Sequence, residues 1–218
     1  DRLLMEADPF QLIEGMTIAA IAVGATAGYI YLRSEYPYTE QVMRDALRIA
    51  REAGVLGNAV LGSSHSFDIT LRIGAGSYIC GEETALLESL EGKRGVVRAK
   101  PPLPALSGLF GKPTVVNNVL TFAAATDILA AGGPAYAAEG VERSRGTMPF
   151  QLCGNVRFGG LVEVPFGITV RDLLDNFGGG TRSGRPAKAI QVGGPLGAYL
   201  PRSQGDTPLA YESMESTE

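Results

Sequence analysis

The sequence predicts an α/β protein in two parts: a larger domain over residues 1–146 and a small β-grasp-like domain over residues 147–202, with a polar tail at residues 203–218. Three observations predict it. Helical and strand-like hydrophobic periods alternate along the first part, the helical pattern stops near residues 132–134, and short strand-like runs follow. A strand, a helix and a strand at this spacing indicate a crossover connection in a parallel sheet.

The first helix and strand of the larger domain share an uncharged run at residues 15–32. Asp8, which is followed by proline, is typical of a helix N-cap, and Gly24 and Gly28 are expected to close that helix. The β-branched and aromatic residues 29–32 predict a short core strand. The run is close to the shortest membrane span, but its glycines and its change of period favour a buried helix followed by a buried strand.

A second helix and a second strand follow in the larger domain. Thr39 is expected to cap a helix that runs to about Ala53 and is ended by Gly54. Residues 67–73 alternate between apolar and polar side chains, which predicts a strand. Because the helix provides the crossover, we expect this strand to lie parallel to the first one.

The smaller domain is predicted from two short strands, at residues 150–153 and 161–164, that are joined by a turn containing glycine. Thr169 is expected to cap a short helix that ends at the glycines 178–180, and residues 189–192 predict a further strand. Two strands, a helix and another strand suggest a β-grasp-like arrangement.

Charge and composition exclude several classes of protein. The net charge is −4, so the chain offers no basic surface to nucleic acid or anionic lipid, and we expect no direct membrane insertion. Neither Cys80 nor Cys153 belongs to a Cys-x-x-Cys pair, so the chain has no complete iron–sulfur or zinc site and no metal ligands are predicted. We expect reduced thiols in the cytoplasm, and we interpret His65 as a solvated loop residue.

The run most informative about chemistry is residues 74–84, Gly-Ala-Gly-Ser-Tyr-Ile-Cys-Gly-Glu-Glu-Thr, between a predicted strand and a predicted helix. Its glycines let the backbone approach a flat ligand and present amide groups at the helix start. The spacing differs from Gly-x-Gly-x-x-Gly, so the usual dinucleotide fingerprint does not apply. Glu82 and Glu83 fall in the first helical turn, where the residues alone favour simple complementarity with the helix dipole over catalysis.

Two further runs have features of a ligand site. Residues 97–104, Val-Arg-Ala-Lys-Pro-Pro-Leu-Pro, form a stiff extended segment that either holds Lys100 at a fixed site or is a rigid surface connector. Residues 111–121 place Asn117 and Asn118 at a helix start, which suits a phosphate or a ribityl chain and equally suits an ordinary N-cap. Together the three runs predict a ligand cleft without identifying the ligand.

In this order, the three runs resemble the family of flavoprotein subunits that includes the NADH-binding subunit of respiratory complex I. That family also includes the diaphorase subunits of NAD-reducing hydrogenases and the β subunits of NAD-linked formate dehydrogenases. Residues 97–106, together with Gly-Gly-Pro-Leu-Gly-Ala-Tyr at residues 193–199, are most similar to the formate dehydrogenase branch. The resemblance covers residues 1–202. It implies an incomplete Rossmann-like FMN-binding domain followed by a soluble ligand-binding β-grasp domain.

The resemblance implies that hydride moves between NAD(H) and FMN, with Glu83 as the catalytic residue. The residues expected to line the flavin and nicotinamide are Gly76, Tyr78, Gly81, Glu82 and Glu83. The residues expected to hold the ribityl phosphate are Val116, Asn117, Asn118 and Thr121. Lys100 is expected near the adenosine half of NADH. Leu103 stands where the family often has an aromatic residue, and it offers apolar contact without a ring face.

The resemblance also implies partners and further cofactors. We expect other subunits of a multi-subunit oxidoreductase, namely a 24 kDa-like 2Fe-2S subunit and a catalytic subunit, and a 4Fe-4S cluster held by the parent protein outside this chain. A further flavin loop and the cluster domain are expected beyond this stretch, so the stretch alone is expected to be an inactive fragment. The open alternatives are a complex I or hydrogenase diaphorase subunit, a subunit of a sodium-pumping or electron-bifurcating complex, and a non-enzymatic β-grasp docking module.

Overall fold

A computed structural model describes residues 1–194 and 196–215, and the chain divides into two compact units, Asp1–Ala130 and Ala131–Glu218. The helices are α1 (Arg2–Ala7), α2 (Pro9–Val23), α3 (Pro37–Glu52), α4 (Glu83–Leu90), α5 (Val119–Ala131), α6 (Gly133–Ala137), α7 (Val170–Asp172) and α8 (Tyr211–Glu215). The strands are β1 (Ala27–Leu32), β2 (Asp68–Ile73), β3 (Gly140–Val141), β4 (Ser144–Arg145), β5 (Thr147–Leu152), β6 (Gly160–Pro165), β7 (Ala189–Gln191) and β8 (Tyr199–Pro201). Short helical turns lie at Val60–Gly62, Tyr78–Gly81, Leu109–Gly111, Leu173–Phe177 and Arg202–Gln204.

The first unit is built on two parallel strands. β1 and β2 pair with Ala27 opposite Asp68 and Leu32 opposite Ile73, and α3 provides the crossover between them. The core contains buried side chains from α2, α3 and both strands, among them Leu12, Ile13, Ile30, Met43, Leu47 and Ile69. The predicted strand–helix–strand unit is confirmed, and the mixed α/β architecture is consistent with a Rossmann-like domain.

The uncharged run at residues 15–32 forms most of α2 and all of β1, as predicted. Asp8 caps α2 by accepting a hydrogen bond from the backbone N–H three residues later at 3.2 Å, and Gly24 ends the helix in the left-handed conformation, with φ of 71°. None of the helices in the described part of the chain is long and apolar enough to span a bilayer. The expectation for Gly28 is wrong: it lies inside β1, where a side chain would meet the ring of Phe67 at 2.7 Å.

The start of α3 also differs from the prediction. The helix begins at Pro37 with Tyr36 as its N-cap, so Thr39 lies within the first turn instead of capping it. The preference of proline for the first helical position sets the start here. The buried Thr39 hydroxyl donates to Glu6 Oε1 at 2.6 Å and so ties α3 to α1. Gly54 follows the helix with φ of 73°, as expected of a residue that ends it.

A glycine lets α5 pack closely across α2. Gly15 is buried, and a Cβ atom at this position would lie 1.9 Å from the carbonyl oxygen of Phe122. Farther along the same contact, Gln11 Nε2 donates to Thr126 Oγ1 at 3.4 Å. The two helix backbones therefore approach so closely that only a residue without a side chain fits at Gly15.

The second unit contains the predicted antiparallel hairpin β5–β6, in which Thr147 lies opposite Pro165. Thr169 caps α7, as predicted, by accepting from the Asp172 N–H at 3.0 Å. β7 pairs with β8, a strand that the sequence did not indicate. The buried core of this unit includes Leu152, Val164, Val170, Leu173, Leu200 and Leu209. The β-grasp assignment stays a prediction, because the described strands form separate two-stranded sheets.

Along the chain, the boundary between the two compact units falls between Ala130 and Ala131, before α6 and the hairpin β3–β4. The sequence places the change near residue 146, and the predicted domain bounds stay a prediction.

The part of the chain expected to be a polar tail has structure of its own as far as residue 215. It contains a helical turn and α8, and both Leu209 and Ala210 are buried. Residues 216–218 of the expected tail lie outside the described residues, as does Pro195 of the run that carries part of the family resemblance.

The histidine and the two cysteines occupy different environments. His65 lies in a loop, as predicted, but it is half-buried and its Nε2 is buried without a hydrogen-bond partner among the described residues, so it is not the fully solvated side chain that was expected. Cys80 is buried and Cys153 is exposed, and both are free thiols. Within residues 1–194 and 196–215, no cluster of three or more histidine, cysteine, aspartate or glutamate side chains is placed to hold a metal ion.

Candidate functional site

Glu82 is the N-cap of α4. Its Oε2 accepts from the backbone N–H groups of Thr84 and Ala85, each at 2.9 Å, and from the Thr84 hydroxyl at 2.5 Å. The Thr84 hydroxyl bond, aided by the backbone N–H bonds and the charge of Lys100, holds the pKa of Glu82 below its ordinary value. Two of the amides at the start of α4, which the sequence suggested for a ligand, are therefore already bonded to this carboxylate.

Glu83 pairs with Lys100 across the site. Glu83 is the first residue of α4, and Lys100 Nζ donates to its Oε1. Lys100 Nζ also lies 3.7 Å from Glu82 Oε1. The hydrogen bond to Glu83 raises the pKa of Lys100, so the lysine stays charged. The Lys100 and Glu83 side chains are 38% and 35% exposed, which leaves the pair within reach of a ligand.

The segment that carries Lys100 bends at residues 100–102. The peptide bonds before Pro101 and Pro102 are both cis. Leu103 is 53% exposed, whereas Pro104 is buried and its carbonyl oxygen accepts from the Thr114 N–H at 2.9 Å. Leu103 therefore presents an apolar surface close in sequence to the lysine.

Arg98 ties this segment to α4 and to a neighbouring turn. Its Nε donates to Glu88 Oε1 at 2.6 Å, its Nη2 lies 2.8 Å from Glu91 Oε1, and its Nη1 donates to the Gly108 carbonyl at 3.1 Å. Its backbone N–H donates to the Thr84 hydroxyl at 2.9 Å. One arginine thus joins three parts of the chain.

Glu91 is the most strongly perturbed carboxylate of the site. Its side chain is only 8% exposed, and it accepts from Lys93 Nζ at 2.7 Å and from the Phe110 N–H at 2.8 Å, as well as pairing with Arg98. The hydrogen bond from Lys93, followed by those from Arg98 and Phe110, lowers the pKa of Glu91 from 4.5 to about 2.

We expect Glu91→Gln to flatten the acid limb of the stability curve. A carboxyl whose pKa is lower in the folded state stabilises the fold above pH 4.5 and loses that contribution as the pH falls towards about 2. In that interval the free energy of unfolding of the wild type should fall more steeply than that of the variant, as measured by urea titration at several pH values. Glu139→Gln, at an exposed glutamate, is the control and should follow the wild type. Parallel curves for Glu91→Gln would contradict the assignment.

The glycine-rich loop before α4 presents backbone and one aromatic ring to solvent. Gly76 is exposed with φ of 88°, a conformation that favours glycine. Gly81 is also exposed, and Tyr78 is 80% exposed. At the start of the loop, a Cβ on Gly74 would lie 2.8 Å from the Tyr31 hydroxyl, so the loop rests closely on that ring.

The predicted phosphate-binding segment begins α5. Asn118 Oδ1 accepts from the Leu120 N–H at 2.8 Å, so this asparagine acts as a cap. Its Nδ2 donates to Asp1 Oδ2 at 3.2 Å. The other predicted members of the segment are half-buried or exposed, namely Val116, Asn117 and Thr121.

The structure brings part of the predicted site together. Glu82, Glu83 and Lys100 form one cluster, called here the Glu–Lys cluster. In residues 1–194 and 196–215, no direct hydrogen bond or ion pair joins Asn117 or Asn118 to it.

Sequence reasoning missed the residues that hold the Glu–Lys cluster in place, Thr84, Arg98 and Glu91. For Glu91, the sequence did contain one indication. Glu88 and Glu91 are three residues apart at the end of α4, a spacing that puts two carboxylates side by side and calls for a cation. Arg98 is too far from Glu88 and Glu91 along the chain for the sequence to indicate that it is the cation between them.

Known proteins match this chain over nearly its whole length. The "NADP-reducing hydrogenase subunit HndC" of Solidesulfovibrio fructosivorans is 45% identical over 98% of this chain and 44% of its own length. An NADH-quinone oxidoreductase subunit of Escherichia coli is 46% identical over 98% of this chain and 48% of its own length. The chain therefore spans about half the length of these curated relatives.

A solved structure and a family model also match this chain. The structure of an NAD+-reducing NiFe hydrogenase in the air-oxidised state superimposes with a TM-score of 0.82 at 38% identity, over 97% of this chain and 35% of that one. The family model of the Nuo51 FMN-binding domain matches residues 1–127. Because this match covers more than half of the chain and includes the Glu–Lys cluster, the chain belongs to the family of the Nuo51 FMN-binding domain.

Proposed function

We propose that this chain is part of an NADH dehydrogenase-type flavoprotein subunit that moves hydride between NAD(H) and FMN and passes electrons on to iron–sulfur clusters. The match to an FMN-binding domain over residues 1–127 carries the proposal. FMN, when bound, supplies the group that accepts or returns hydride. The residues of the chain bind and orient the cofactors and set the charge around them.

The described residues fit the FMN phosphate at the start of α5 better than at the start of α4. The Thr84 and Ala85 amides at the start of α4 are bonded to Glu82, and Glu83 adds a second carboxylate that repels a phosphate. At α5 the Leu120 N–H is likewise bonded, to Asn118, but the cap is a neutral amide, and Asn117 is exposed with an amide donor at the helix start. Asn118 donates to Asp1. We assign the remaining flavin contacts to Gly76, Tyr78, Gly81, Val116 and Thr121.

The charge of the Glu–Lys cluster suits the nicotinamide. One lysine faces two carboxylates, so a net negative charge remains. Since Oε2 of Glu82 is bonded to the start of α4, Glu83 is the carboxylate available to a ligand. A negative charge there attracts the cationic ring of NAD+ and has little effect on the neutral ring of NADH.

We therefore expect Glu83→Gln to weaken the binding of NAD+ more than that of NADH. The substitution keeps the size of the side chain and one acceptor oxygen but removes its charge. Product inhibition by NAD+ and the KM for NADH report the two affinities. Glu14→Gln, at an exposed glutamate on α2, is the matched control and should change neither. Equal losses for both forms of the nucleotide would show that only the hydrogen bond of Glu83 matters.

For Lys100→Ala, we expect the KM for NADH to rise roughly tenfold with little change in kcat, the pattern of lost uniform binding. The reason is twofold: the variant loses a cation near the anionic nucleotide, and it leaves Glu83 unneutralised. Steady-state kinetics at constant ionic strength measure both constants. Lys188→Ala, at an exposed lysine of the second unit, should behave like the wild type. An unchanged KM in Lys100→Ala removes this lysine from the nucleotide site.

The function itself is tested by the visible spectrum of the full-length protein purified with FMN. Flavin absorbance should remain after desalting and should bleach on anaerobic addition of NADH. Loss of all flavin would instead favour the second candidate, a non-enzymatic docking module, which leaves the Glu–Lys cluster without a role.

We further propose that the parent complex is a cytoplasmic NAD-linked formate dehydrogenase. The proposal is based on the amino-acid sequences of residues 97–106 and 193–199. The names of the relatives agree equally well with complex I or with the diaphorase part of a hydrogenase. The 24 kDa-like 2Fe-2S subunit, the catalytic subunit and a 4Fe-4S cluster belong to this proposal. Purification of the native complex, followed by assays for formate-, hydrogen- and quinone-dependent turnover, separates the branches. Turnover with hydrogen or quinone but not formate would contradict our assignment.

A further inference from the structure

Thr84 lies between the residues of the Glu–Lys cluster but is itself buried. It is the second residue of α4 and is 1% exposed. A threonine within a helix often returns its hydroxyl bond to the carbonyl three or four residues earlier. Here the hydroxyl donates instead to Glu82 Oε2 at 2.5 Å and accepts from the Arg98 backbone N–H at 2.9 Å.

These two bonds join the two halves of the cluster. Glu82 belongs to the start of α4, whereas Arg98 lies two residues before Lys100 on the proline-containing segment. The Thr84 hydroxyl is thus the only group in the described chain that is hydrogen-bonded to both the Glu82 carboxylate and the backbone of that segment. The guanidinium of Arg98 anchors the same segment separately, to Glu88.

We propose that Thr84 is a positioning residue for nucleotide binding: its hydroxyl sets the distance between Lys100 and the carboxylates of α4 without touching the nucleotide. The inference rests on the proposed NADH-binding function. When the hydroxyl is removed, Arg98 N–H loses its acceptor and Glu82 loses one donor. The segment then keeps only the guanidinium anchors of Arg98, so the backbone that leads to Lys100 shifts relative to Glu83 and moves the cation away from its position in the nucleotide site.

Two variants separate the hydroxyl from packing. Thr84→Val keeps the shape and removes both bonds, whereas Thr84→Ser keeps the hydroxyl and loses a methyl group. In the flavin-loaded full-length protein we expect Thr84→Val to raise the KM for NADH roughly tenfold at unchanged kcat, the factor that corresponds to one to two lost hydrogen bonds. Thr84→Ser should stay within about twofold of the wild type.

A double-mutant cycle shows whether the effect passes through Lys100. In a Lys100→Ala background, Thr84→Val should add no further increase in KM, because the group that it positions is gone. An unchanged KM in Thr84→Val would overturn the proposal. So would the same fold-increase in both backgrounds, a fall in kcat at constant KM, or failure of Thr84→Ser to restore binding.

A replacement variant and a wild-type measurement cover the cases in which Thr84→Val loses its flavin or the proposed function itself is wrong. If Thr84→Val does not retain flavin, Thr84→Cys replaces it, because it differs from Thr84→Ser only in a sulfur that bonds weakly, and it should then show the raised KM. If NADH fails to bleach the flavin of the wild type, the proposed function itself fails. In that case the inference about nucleotide binding fails with it, whereas a normal wild type with unaltered Thr84 variants overturns the inference alone.

Discussion

We expect Arg98→Ala to lower the free energy of unfolding by about 3 kcal/mol, the lower end of what removing one partner from a buried ion pair costs. The arginine side chain is 25% exposed, which places the effect at that lower end, but Glu91 is only 8% exposed and cannot easily recover its lost donor from water. Glu88 and the Gly108 carbonyl lose a donor as well. Urea denaturation at neutral pH measures the difference.

Three controls accompany Arg98→Ala. Arg94→Ala removes an exposed arginine of the same loop and should cost little. Arg98→Lys keeps the charge but loses the planar fork, so it should recover only part of the stability. In the double variant Arg98→Ala with Glu91→Gln the two losses of stability should be less than additive, because the Arg98–Glu91 pair is then removed only once. If Arg98→Ala were as stable as Arg94→Ala, the network would have no stabilising role.

We expect Gly15→Ala to destabilise the first unit by about 3 kcal/mol, the upper end of the usual cost of overpacking a core. The added Cβ would lie 1.9 Å from the carbonyl oxygen of Phe122 and 2.5 Å from its carbonyl carbon. Both are backbone atoms, so no side-chain rotation relieves the clash and α5 must move away from α2. The better helix propensity of alanine, worth about 1 kcal/mol, offsets only part of this cost.

Gly133→Ala is the matched control for Gly15→Ala. It makes the same chemical change at a helical glycine where an added Cβ meets nothing within 4 Å. The control should cost much less than Gly15→Ala, since the helix propensity of alanine offsets part of the penalty that Pro134 imposes on a helical residue before it. Chemical denaturation followed by circular dichroism compares the two. Equal stability of both variants would mean that α2 and α5 do not approach each other as closely as the structure has them.

Features that depend on a few neighbouring residues could be predicted from the sequence. Asp8 before a proline starts α2, Gly24 ends it, and Thr169 caps α7, because each relies on bonds between residues two to four apart. The parallel pairing of β1 and β2 follows from a helix placed between two strand patterns. The error at Thr39 arose where two local signals competed and the proline at position 37 set the helix start.

The candidate site likewise has features that could be predicted from the sequence and features that only the tertiary structure shows. That Glu82 and Glu83 stand at a helix start and Lys100 stands in a proline-containing run is visible in the sequence alone. The pairing of Lys100 with Glu83 is visible only in the tertiary structure, as are the roles of Thr84 and Arg98. Sequence patterns record which face of an element is apolar, but not which distant element packs against that face. How far the negative charge of Glu83 is offset depends on which cation the fold brings within about 4 Å of it. Coulomb energy is set by distance in space and not by separation along the chain.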